Sequence, residues 1–311
     1  MPETSLISIV LTLYNKEQYI EETLFSIYCQ TYKNWELIIV DDCSTDGSFE
    51  KAKSFCKKLW IENKCTFVQN KTNLWVAKTF EKGLKYVKWE WVAMCDGDDI
   101  LMKNKLEENI TYCKGSRIEF CYSDLIMIND NNEVIGLSRR KHIHVKHKNT
   151  SSKSLLHKNH IVWSSIFFSA IIIPKLQEIW FPKTIYQDQW IAIFASLTAA
   201  KMWYIYKPLV YYRRCKNCIT YSSITGNKEI LDNHLKIIES YITIIRSILE
   251  QKKLKKEKWM KEYLQVLQVF SRFLQGDESF LQVFRIMVNT RNFRLLYRLI
   301  ICYFRIYLIR K

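Results

Sequence analysis

Apolar segments of strand length alternate with segments of helical periodicity over residues 6–95, and this alternation limits the fold more than any other feature of the sequence. The near-continuous apolar runs are Leu6–Leu13, Trp35–Val40, Cys65–Gln69 and Trp89–Cys95. The segments with apolar side chains at helical spacing cover about 16–30, 48–60 and 76–87. Strands that alternate with helices of this length are typical of βαβ units. We therefore predict an α/β fold with a mostly parallel sheet flanked by helices.

Acidic side chains follow two of the predicted strands at the point where each strand ends. Asp41 and Asp42 follow the second strand, and Asp96, Asp98 and Asp99 follow the fourth. Because the carboxyl ends of parallel strands face the ligand crevice of an open sheet, both clusters are expected in one cavity. Carboxylates are the ligands that Mg²⁺ and Mn²⁺ prefer. Either cluster alone also fits a polar turn that caps the next helix, so the two together favour a functional site.

Several common motifs are absent. The chain has only seven glycines, and none has the spacing of a dinucleotide-binding loop or a phosphate-binding P-loop. The glycine–serine–glycine turn that carries the nucleophile of many hydrolases is also missing. These absences argue against nicotinamide-dependent oxidoreduction, P-loop chemistry and serine hydrolysis.

Positive charge is concentrated at the end of the chain. The formal net charge is +16, and fourteen basic against four acidic residues place +10 of it in residues 251–311. Arg291, Arg294, Arg298 and Arg305 fall on one stripe of a helix whose other positions are largely apolar. This pattern predicts a helix that lies in an anionic membrane interface. A helix packed on the preceding domain remains the alternative.

The chain carries no recognisable export or spanning segment. Its first apolar run has no basic residues before it, so no signal peptide is expected. No run reaches the length that a spanning helix needs, and the ten cysteines form no disulfide framework. We therefore expect reduced thiols and a cytoplasmic protein, peripheral on the inner face of the cell membrane.

Six segments together resemble the inverting family-two glycosyltransferases that have the A-type, nucleotide-sugar-binding fold. In chain order they are Ser8–Gly47, Asn73–Lys78, Asp96–Ile100, Asn104–Leu106, Tyr186–Trp190 and Pro208–Arg213. The match runs over about residues 5–222 and is closest to transferases that build bacterial surface polysaccharides, including those that move rhamnose. The resemblance implies a catalytic domain at 1–225, which leaves a helical, basic, membrane-associating tail at 226–311.

The resemblance implies a role in nucleotide-sugar binding for five residues of the first half. Thr12 and Tyr14 would line the nucleotide pocket, with Tyr14 against the base. Asp42, or its neighbour Asp41, would accept a hydrogen bond from the pyrimidine ring N–H. Lys78 completes the set of substrate-binding residues.

The resemblance also implies a cation and a general base. Asp96 would lie near the ribose, and Asp98, with Asp96, would hold the Mn²⁺ or Mg²⁺ that bridges the donor diphosphate. Asp188 would take a proton from the acceptor, which an inverting transfer requires on the side opposite the leaving group.

The sequence departs from the family pattern at five positions. Trp75, Trp89 and Trp163 stand where the family usually has glycine, Cys43 replaces a common glycine, and Cys215 replaces a common histidine. Tryptophan in place of glycine bears on the local turn and on the shape of the sugar pocket. The three tryptophans raise the hypothesis that UGA codons in the gene are read as glycine.

We therefore predict an inverting, metal-dependent glycosyltransferase. It would move a hexose from a nucleotide-diphosphate sugar to a glycan or lipid-linked acceptor, in cell-surface polysaccharide or lipopolysaccharide synthesis. Its other partner would be an anionic membrane surface, and no nucleic acid is expected. The alternatives are a sugar-1-phosphate nucleotidyltransferase and a non-catalytic basic protein, binding membrane or nucleic acid, on a decayed transferase scaffold.

Overall fold

The computed structural model describes residues 5–88, 90–116, 118–137, 161–178, 187–197 and 201–215, with scattered helical positions between 239 and 272. The chain divides into two compact units, Met1–Phe181 with Tyr186–Tyr221 and Pro182–Ile185 with Ser222–Lys311. The boundary at residue 225 and the nature of the tail stay predictions, because Arg291, Arg294, Arg298 and Arg305 lie outside the described residues. Within those residues, no helix is both long and apolar enough to cross a membrane.

The first half follows the predicted order of strands and helices. Its elements are β1 (Ile7–Leu13), α1 (Ile20–Tyr28), β2 (Trp35–Asp41), α2 (Ser48–Lys58), β3 (Cys65–Gln69), α3 (Val76–Leu84) and β4 (Trp91–Asp96), with a 3-10 turn at Glu62–Lys64 before β3. The first predicted helix was too long at its start. Residues 14–19 form a loop because Asn15 adopts a left-handed backbone conformation, with φ 50°, which ends the strand without beginning a helix.

The second half is less regular. Its elements are β5 (Ile100–Leu101), α4 (Lys105–Ser116), β6 (Phe120–Ile128), β7 (Val134–Gly136), β8 (Ile166–Ser169), α5 (Ile173–Glu178), α6 (Gln187–Leu197) and β9 (Met202–Arg213), with 3-10 turns at Trp163–Ser165 and Ala170–Ile172. Helix α6 is one of the most deeply buried described elements, and Trp190 to Ile193 are fully shielded from solvent.

The described strands form one sheet in the order β3-β2-β1-β4-β8-β6-β9-β5, with β7 paired to β6. β1, β2, β3 and β4 are parallel, as predicted. β8 then lies antiparallel to both β4 and β6, and β9 is parallel to β6. The α/β fold class is confirmed, and the reversal of direction at β8 is an addition that the sequence pattern did not predict.

Helix α3 packs closely on the parallel strands because Gly83 has no side chain. A Cβ atom at Gly83 would lie 2.7 Å from Val10 Cγ1 and 3.1 Å from Val40 Cγ2. Phe80, one turn earlier on the same helix, makes an edge contact with the ring of Trp163, with centroids 4.6 Å apart. Full burial of each such aliphatic side chain contributes about 1.5–3 kcal/mol, so any larger residue at Gly83 would separate α3 from the sheet.

Candidate functional site

Strand register brings the two acidic clusters side by side. Thr12 pairs with Val40 on one side and with Asp96 on the other, and Leu13 pairs with Asp41. β1 therefore lies between the strand that ends at Asp41 and the strand that ends at Asp96. Both clusters therefore lie at the same end of adjoining strands, and a shared cavity stays a prediction.

The loops after β1 and β2 are joined to each other by hydrogen bonds. Asn15 donates from its main-chain N to Ser44 Oγ at 3.0 Å, and its side-chain oxygen accepts from Thr45 N at 2.8 Å. Lys16 N donates to Ser48 Oγ at 2.6 Å. The Ser-Thr-Asp-Gly segment after Cys43 thus connects two loops, and Asp46 Oδ1 accepts from Ser48 N at 3.0 Å at the start of α2, which is a structural role.

Asp41 is satisfied internally. Its carboxylate accepts from the main-chain N and the hydroxyl of Ser44 and, through Oδ2, from Gln69 Nε2 at 3.1 Å. The residue is fully buried. Both carboxylate oxygens therefore have protein partners, so Asp41 holds the turn that follows β2.

Asp42 differs from its neighbour because its hydrogen bonds reach one oxygen. Oδ1 accepts from Asn70 Nδ2 and from Leu74 N, each at 2.8 Å. No donor within the described part of the chain reaches Oδ2. Asp42 is thus the member of the pair with an acceptor atom left for a ligand, while its other oxygen orders the segment before α3.

Three carboxylates converge at the end of β4. Asp96, Asp98 and Asp99 each offer an oxygen, and these oxygens lie within 4.8 Å of one another. Thr12 Oγ1 donates to Asp96 Oδ1 at 2.8 Å, and Ser164 Oγ accepts from Asp96 N at 2.9 Å. Asp99 Oδ2 is buried and has no hydrogen-bond partner among the described residues.

The crowding of these carboxylates changes their acidity. Burial, followed by the charge of Asp98, raises the pKa of Asp96 to about 7, against the opposing effects of the Thr12 hydrogen bond and the Lys16 ammonium. Burial, then Asp98 and Asp96, raises the pKa of Asp99 well above its ordinary value. Like charges held together and away from water resist ionisation, and a cation relieves that cost.

Lys16 supplies one positive charge to this cluster. Its Nζ lies 2.6 Å from Asp98 Oδ2. Burial alone would lower the pKa of Lys16, but Asp98, with smaller contributions from Asp96 and Asp99, raises it above its ordinary value. Sequence reasoning assigned no role to Lys16, although a basic residue in the loop after the first strand was a signal that could have drawn attention to it.

Arg213, at the end of β9, holds the acidic loop from the other side. Its main-chain N donates to Asp99 Oδ1 at 3.0 Å and its Nε to the main-chain oxygen of Asp98 at 2.9 Å. The guanidinium also pairs with Glu22 at 2.6 Å and lies over the ring of Tyr19, 4.6 Å from its centroid. Arg213 ends one of the six segments that resemble the family, but the sequence alone indicates no function for it.

Asp188 lies in the first turn of α6, where its charge interacts favourably with the helix dipole. It is close enough to the cluster for its charge to raise the pKa of Asp96 further. The apolar stretch after Asp188 predicts a buried helix that anchors its backbone. The helix begins at Gln187, so Asp188 is held by this element from its own position onward.

For two predicted substrate-binding residues, Tyr14 and Lys78, the structure shows the surroundings of the side chain. Tyr14 follows β1 directly and is 41% exposed, so its ring is open to a ligand. Lys78, in the first turn of α3, forms an ion pair with Glu81 at 2.6 Å. Their roles stay predictions.

The departures from the family pattern have different structural settings. Trp75 has φ 68° and Cys43 has φ 62°, in the left-handed region that favours glycine. Trp163 is buried, and Trp89 lies outside the described residues.

Cys215 is disulfide-bonded, with its partner outside the described residues, so the expectation of reduced thiols was wrong for this residue. The other described cysteines are free.

The donor set of the acidic cluster fits a hard divalent cation. Carboxylate oxygens suit Mg²⁺ and Mn²⁺, and the three oxygens already lie within one coordination-sized space. Asp99 Oδ2 is a buried oxygen with no hydrogen-bond partner among the described residues. Asp98 and Asp96 are the residues that could hold such an ion, and Arg213 orients the loop that carries them.

A parallel sheet with acidic residues at adjoining strand ends, followed by a reversed strand, is the architecture of A-type glycosyltransferases. The sequence pattern of Glycosyl transferase family 2 matches residues 8–174, which is more than half of the chain. The protein therefore belongs to this family, and the resemblance inferred from its motifs is confirmed.

Curated relatives match only part of the chain. The putative glycosyltransferase EpsE of Bacillus subtilis is 34% identical over 111 residues, which are 36% of this chain and 39% of that protein. The UDP-Glc:alpha-D-GlcNAc-diphosphoundecaprenol beta-1,3-glucosyltransferase WfgD of Escherichia coli is 34% identical over 131 residues, 42% of this chain and 49% of that protein. The matched region thus spans less than half of the length of both relatives.

Solved structures share the fold over most of the chain. The crystal structure of S. aureus TarS 1-349 in complex with UDP-GlcNAc aligns with a TM-score of 0.61 and 16% identity, over 93% of this chain and 91% of that one. The mannosyltransferase PcManGT from Pyrobaculum calidifontis, in complex with GDP-Man and Mn²⁺, aligns with a TM-score of 0.55 and 13% identity, over 94% and 81% of the two chains. At these identities the likeness concerns the fold alone.

Proposed function

We propose that this protein is an inverting glycosyltransferase that moves a hexose from a nucleotide-diphosphate sugar to a glycan or lipid-linked acceptor, and that the reaction depends on Mn²⁺ or Mg²⁺. The observation that carries the proposal is the convergence of Asp96, Asp98 and Asp99 within 4.8 Å at the end of β4. A diphosphate is the substrate group that most needs a cation at such a place.

The nucleotide would bind across the ends of β1 and β2. Asp42 Oδ2 would accept a hydrogen bond from the ring N–H of a pyrimidine base, since Oδ1 is occupied by Asn70 and Leu74. Tyr14, exposed beside it, would stack on the base. The complexes of the fold relatives, one with UDP-GlcNAc and one with GDP-Man and Mn²⁺, support a nucleotide sugar as the ligand class.

The sugar diphosphate would extend from the base towards the acidic cluster. Asp98 and Asp96 would hold the cation, and Thr12 keeps the Asp96 carboxylate oriented through its hydroxyl. A bound divalent cation offsets the negative charge that builds on a leaving diphosphate. Arg213 contributes by fixing the main chain at Asp98 and the carboxylate of Asp99.

Asp188 would be the general base. As the acceptor hydroxyl attacks the anomeric carbon, its proton passes to the Asp188 carboxylate, while the bond from that carbon to the diphosphate oxygen breaks on the opposite face. Attack and departure on opposite faces invert the anomeric configuration. The position of Asp188 at the start of a buried helix supports this role, because it restrains the carboxylate without closing it off from solvent.

The biological setting is proposed from the relatives and from the tail. WfgD is named as a transferase acting on a diphosphoundecaprenol-linked sugar, and TuaG of Bacillus subtilis as a putative teichuronic acid biosynthesis glycosyltransferase. We infer surface polysaccharide or lipopolysaccharide synthesis on the inner face of the cell membrane. The basic tail at 226–311 would keep the enzyme at that anionic surface.

A donor-hydrolysis screen tests the proposal. Purified protein is incubated with UDP- and GDP-linked hexoses and Mn²⁺ or Mg²⁺, and release of nucleoside diphosphate is measured with and without EDTA. We expect one donor class to be turned over, EDTA to abolish release, and Asp98→Asn to reduce it sharply. Glu62→Gln, which removes an exposed acid far along the chain from the cluster, is the matched control. Full turnover in excess EDTA contradicts the metal-dependent mechanism.

A further inference from the structure

Lys16 stands between the acidic cluster and an open cavity. Its ammonium contacts Asp98 Oδ2 at 2.6 Å, and its side chain remains 22% exposed. The cavity, about 680 Å³, is lined by Lys16 together with Tyr19, Lys51, Cys215 and neighbouring loop residues. A ligand that enters this cavity therefore meets the Lys16 side chain beside the predicted cation site.

The backbone of Lys16 is fixed while its side chain has room to turn. Its main-chain N donates to Ser48 Oγ at 2.6 Å, and its main-chain oxygen accepts from Tyr19 N and Ile20 N at 2.9 and 3.0 Å. The outer part of the side chain borders the open cavity, which gives the ammonium room to move. The ammonium can change partner by rotation about side-chain bonds alone.

Two cations cannot share one carboxylate oxygen at contact distance without strong repulsion. A divalent ion that binds Asp98 therefore competes with the Lys16 ammonium. The donor's diphosphate brings the negative charge that a displaced lysine needs, and lysine is a well-suited phosphate ligand because its charge is compact. The exchange would keep the site near electrical balance both with and without donor.

We propose that Lys16 is a donor-binding residue that changes partner: it neutralises Asp98 in the empty site and moves to the donor diphosphate when a divalent cation takes Asp98. This assignment rests on the proposed function. In this role Lys16 competes with the cation for Asp98 and also binds the donor. It therefore lowers the affinity for Mn²⁺ alone and raises the affinity for the nucleoside diphosphate.

Titration calorimetry measures both roles separately. Mn²⁺ alone is titrated into wild type, Lys16→Gln, Lys16→Arg and Lys51→Gln at pH 8. UDP, and in a second series GDP, is then titrated in saturating Mn²⁺. Lys51→Gln is the matched control, because Lys51 lines the same cavity while its ammonium bonds the main-chain oxygen of Glu17 at 3.0 Å. Thermal melting establishes that each variant is folded.

We expect Lys16→Gln to bind Mn²⁺ alone about tenfold or more tightly than wild type, because a competing unit charge is gone. The same variant should bind nucleoside diphosphate about tenfold or more weakly, because a phosphate ligand is gone. Lys16→Arg should stay near wild type in the Mn²⁺ titration, and Lys51→Gln should match wild type in both.

Mn²⁺ affinity of Lys16→Gln equal to or below that of wild type overturns the exchange, as does an absence of Mn²⁺ binding in both proteins. Unchanged nucleoside diphosphate affinity in Lys16→Gln removes the donor-binding half of the inference. If wild type binds Mn²⁺ but neither UDP nor GDP, the proposed function fails and donor binding by Lys16 fails with it. The Mn²⁺ titration still decides whether Lys16 competes for Asp98.

A second inference rests on two tryptophans in left-handed backbone positions. Trp60 has φ 58° and Trp75 has φ 68°, and their side chains are 91% and 69% exposed. For a bulky residue a positive φ is a marked outlier, and rings this exposed gain little packing to offset the strain. Trp75, with ψ 154°, lies close to a region that only glycine commonly occupies.

The hydrogen bonds at Trp60 are those of a helix that ends in glycine. Trp60 N donates to Lys57 O at 3.0 Å, and Ile61 N donates to Cys56 O at 3.1 Å, which is the Schellman pattern with its left-handed residue at 60. The whole chain has ten tryptophans and seven glycines, whereas glycine usually makes up about 7% of residues. We infer that the natural polypeptide carries glycine at positions 60 and 75, encoded by UGA codons that the source organism reads as glycine.

Gene sequence and peptide mass spectrometry of the protein from its source organism test this inference. Trp35 and Trp190 are the matched controls, because both are buried in the core where an aromatic side chain is needed. We expect UGA at positions 60 and 75, UGG at 35 and 190, and peptide masses with glycine at the first pair only. UGG at 60 and 75, or tryptophan in those peptides, overturns the inference.

Discussion

Arg213 Nε donates a hydrogen bond to the main-chain oxygen of Asp98 over 2.9 Å, and so strand β9 fixes the loop that carries the acidic cluster. The same guanidinium bonds Asn132 Oδ1 at 2.7 Å and Glu22 Oε2 at 2.6 Å. Arg213 is 2% exposed, and a planar group with several donors is the side chain that can serve all of these acceptors together.

Arg213→Lys should therefore destabilise the fold and loosen the cation site. Lysine keeps the charge but cannot reach all of these acceptors, and the loss should be about 2–5 kcal/mol in the free energy of unfolding. Urea unfolding gives the stability and calorimetry gives the Mn²⁺ affinity, which should also fall. Lys207→Arg, a conservative exchange at an exposed position of the same strand, should change neither. Unaltered Mn²⁺ affinity in a less stable Arg213→Lys protein would limit Arg213 to a purely structural role.

The neighbours Asp41 and Asp42 should respond differently to the same substitution. Asp41→Asn replaces one of the two oxygens that receive hydrogen bonds from Ser44 and Gln69, so it should cost about 1–3 kcal/mol of stability. Asp42→Asn can retain Oδ1 for Asn70 and Leu74, so its stability should change little while UDP affinity falls by about tenfold. Melting and UDP titration separate the two outcomes. Wild-type UDP affinity in both variants would remove base recognition from this pair.

The raised pKa of Asp96, about 7, predicts how stability depends on pH in the absence of divalent ions. The folded chain holds this proton up to about pH 7, while the unfolded chain releases it near 3.8. Between these values the folded state binds more protons, so stability should fall as pH rises from about 4 to about 7, by at most about 1.4 kcal/mol per pH unit for this group. Urea unfolding of wild type and Asp96→Asn across this pH range measures how much of the pH dependence of stability comes from Asp96.

Two comparisons sharpen the pH experiment. Saturating Mn²⁺ should flatten the wild-type dependence, because the ion takes the place of the proton. Burial lowers the pKa of Lys105 to about 8. Lys105 therefore makes stability depend on pH only above about pH 8, and it does not affect the range from pH 4 to pH 7. An identical slope in wild type and Asp96→Asn would mean that Asp96 does not carry the proton.

Asp188→Asn should lower kcat by about 10² to 10⁴, the usual worth of a general base, while UDP affinity stays unchanged. Its charge also raises the pKa of Asp96, so the variant should bind Mn²⁺ at lower pH than wild type. Steady-state kinetics and Mn²⁺ titrations at several pH values provide the two readouts, with Glu62→Gln as control. Lost UDP affinity with an unchanged kcat would reassign Asp188 to donor binding.

Deletion of residues 291–311 tests the proposed membrane association. These residues carry Arg291, Arg294, Arg298 and Arg305, and each basic side chain near an anionic leaflet contributes about 1 kcal/mol. Binding to anionic vesicles should weaken strongly while donor hydrolysis persists. A lowered melting temperature of the truncated protein would instead favour a helix that packs on the rest of the chain. Unchanged stability and vesicle binding would argue against both roles.

The parallel half of the fold was predictable because its signals are local. Each buried strand is a short apolar run followed directly by polar residues, so β2 and β3 agree with the pattern to within a residue. The place of β8 was not predictable, because Phe167 pairs with both Ala93 and Cys121, partners that lie far from it along the chain.

The acidic side chains of the site could be predicted from the sequence, but its basic side chains could not. Asp96 and Asp98 stand out because carboxylates at a strand end are conspicuous in a sequence. Lys16 and Arg213 reach Asp98 only through strand register, across 82 and 115 positions of chain. The backbone conformation of Trp60 was also missed, since tryptophan carries no local signal for a left-handed turn.

The hydrogen bond from Asn15 N to Ser44 Oγ joins residues 29 positions apart, whereas the bond from Arg213 to Asp98 spans 115 positions. Contacts between nearby residues form early in folding and distant ones late. During synthesis the contacts around the pocket proposed for the base can therefore form while much of the chain is still to be made. The loop that carries Asp98 is fixed only when β9 arrives, so a chain that stops before residue 213 lacks the bond that orders the proposed cation site.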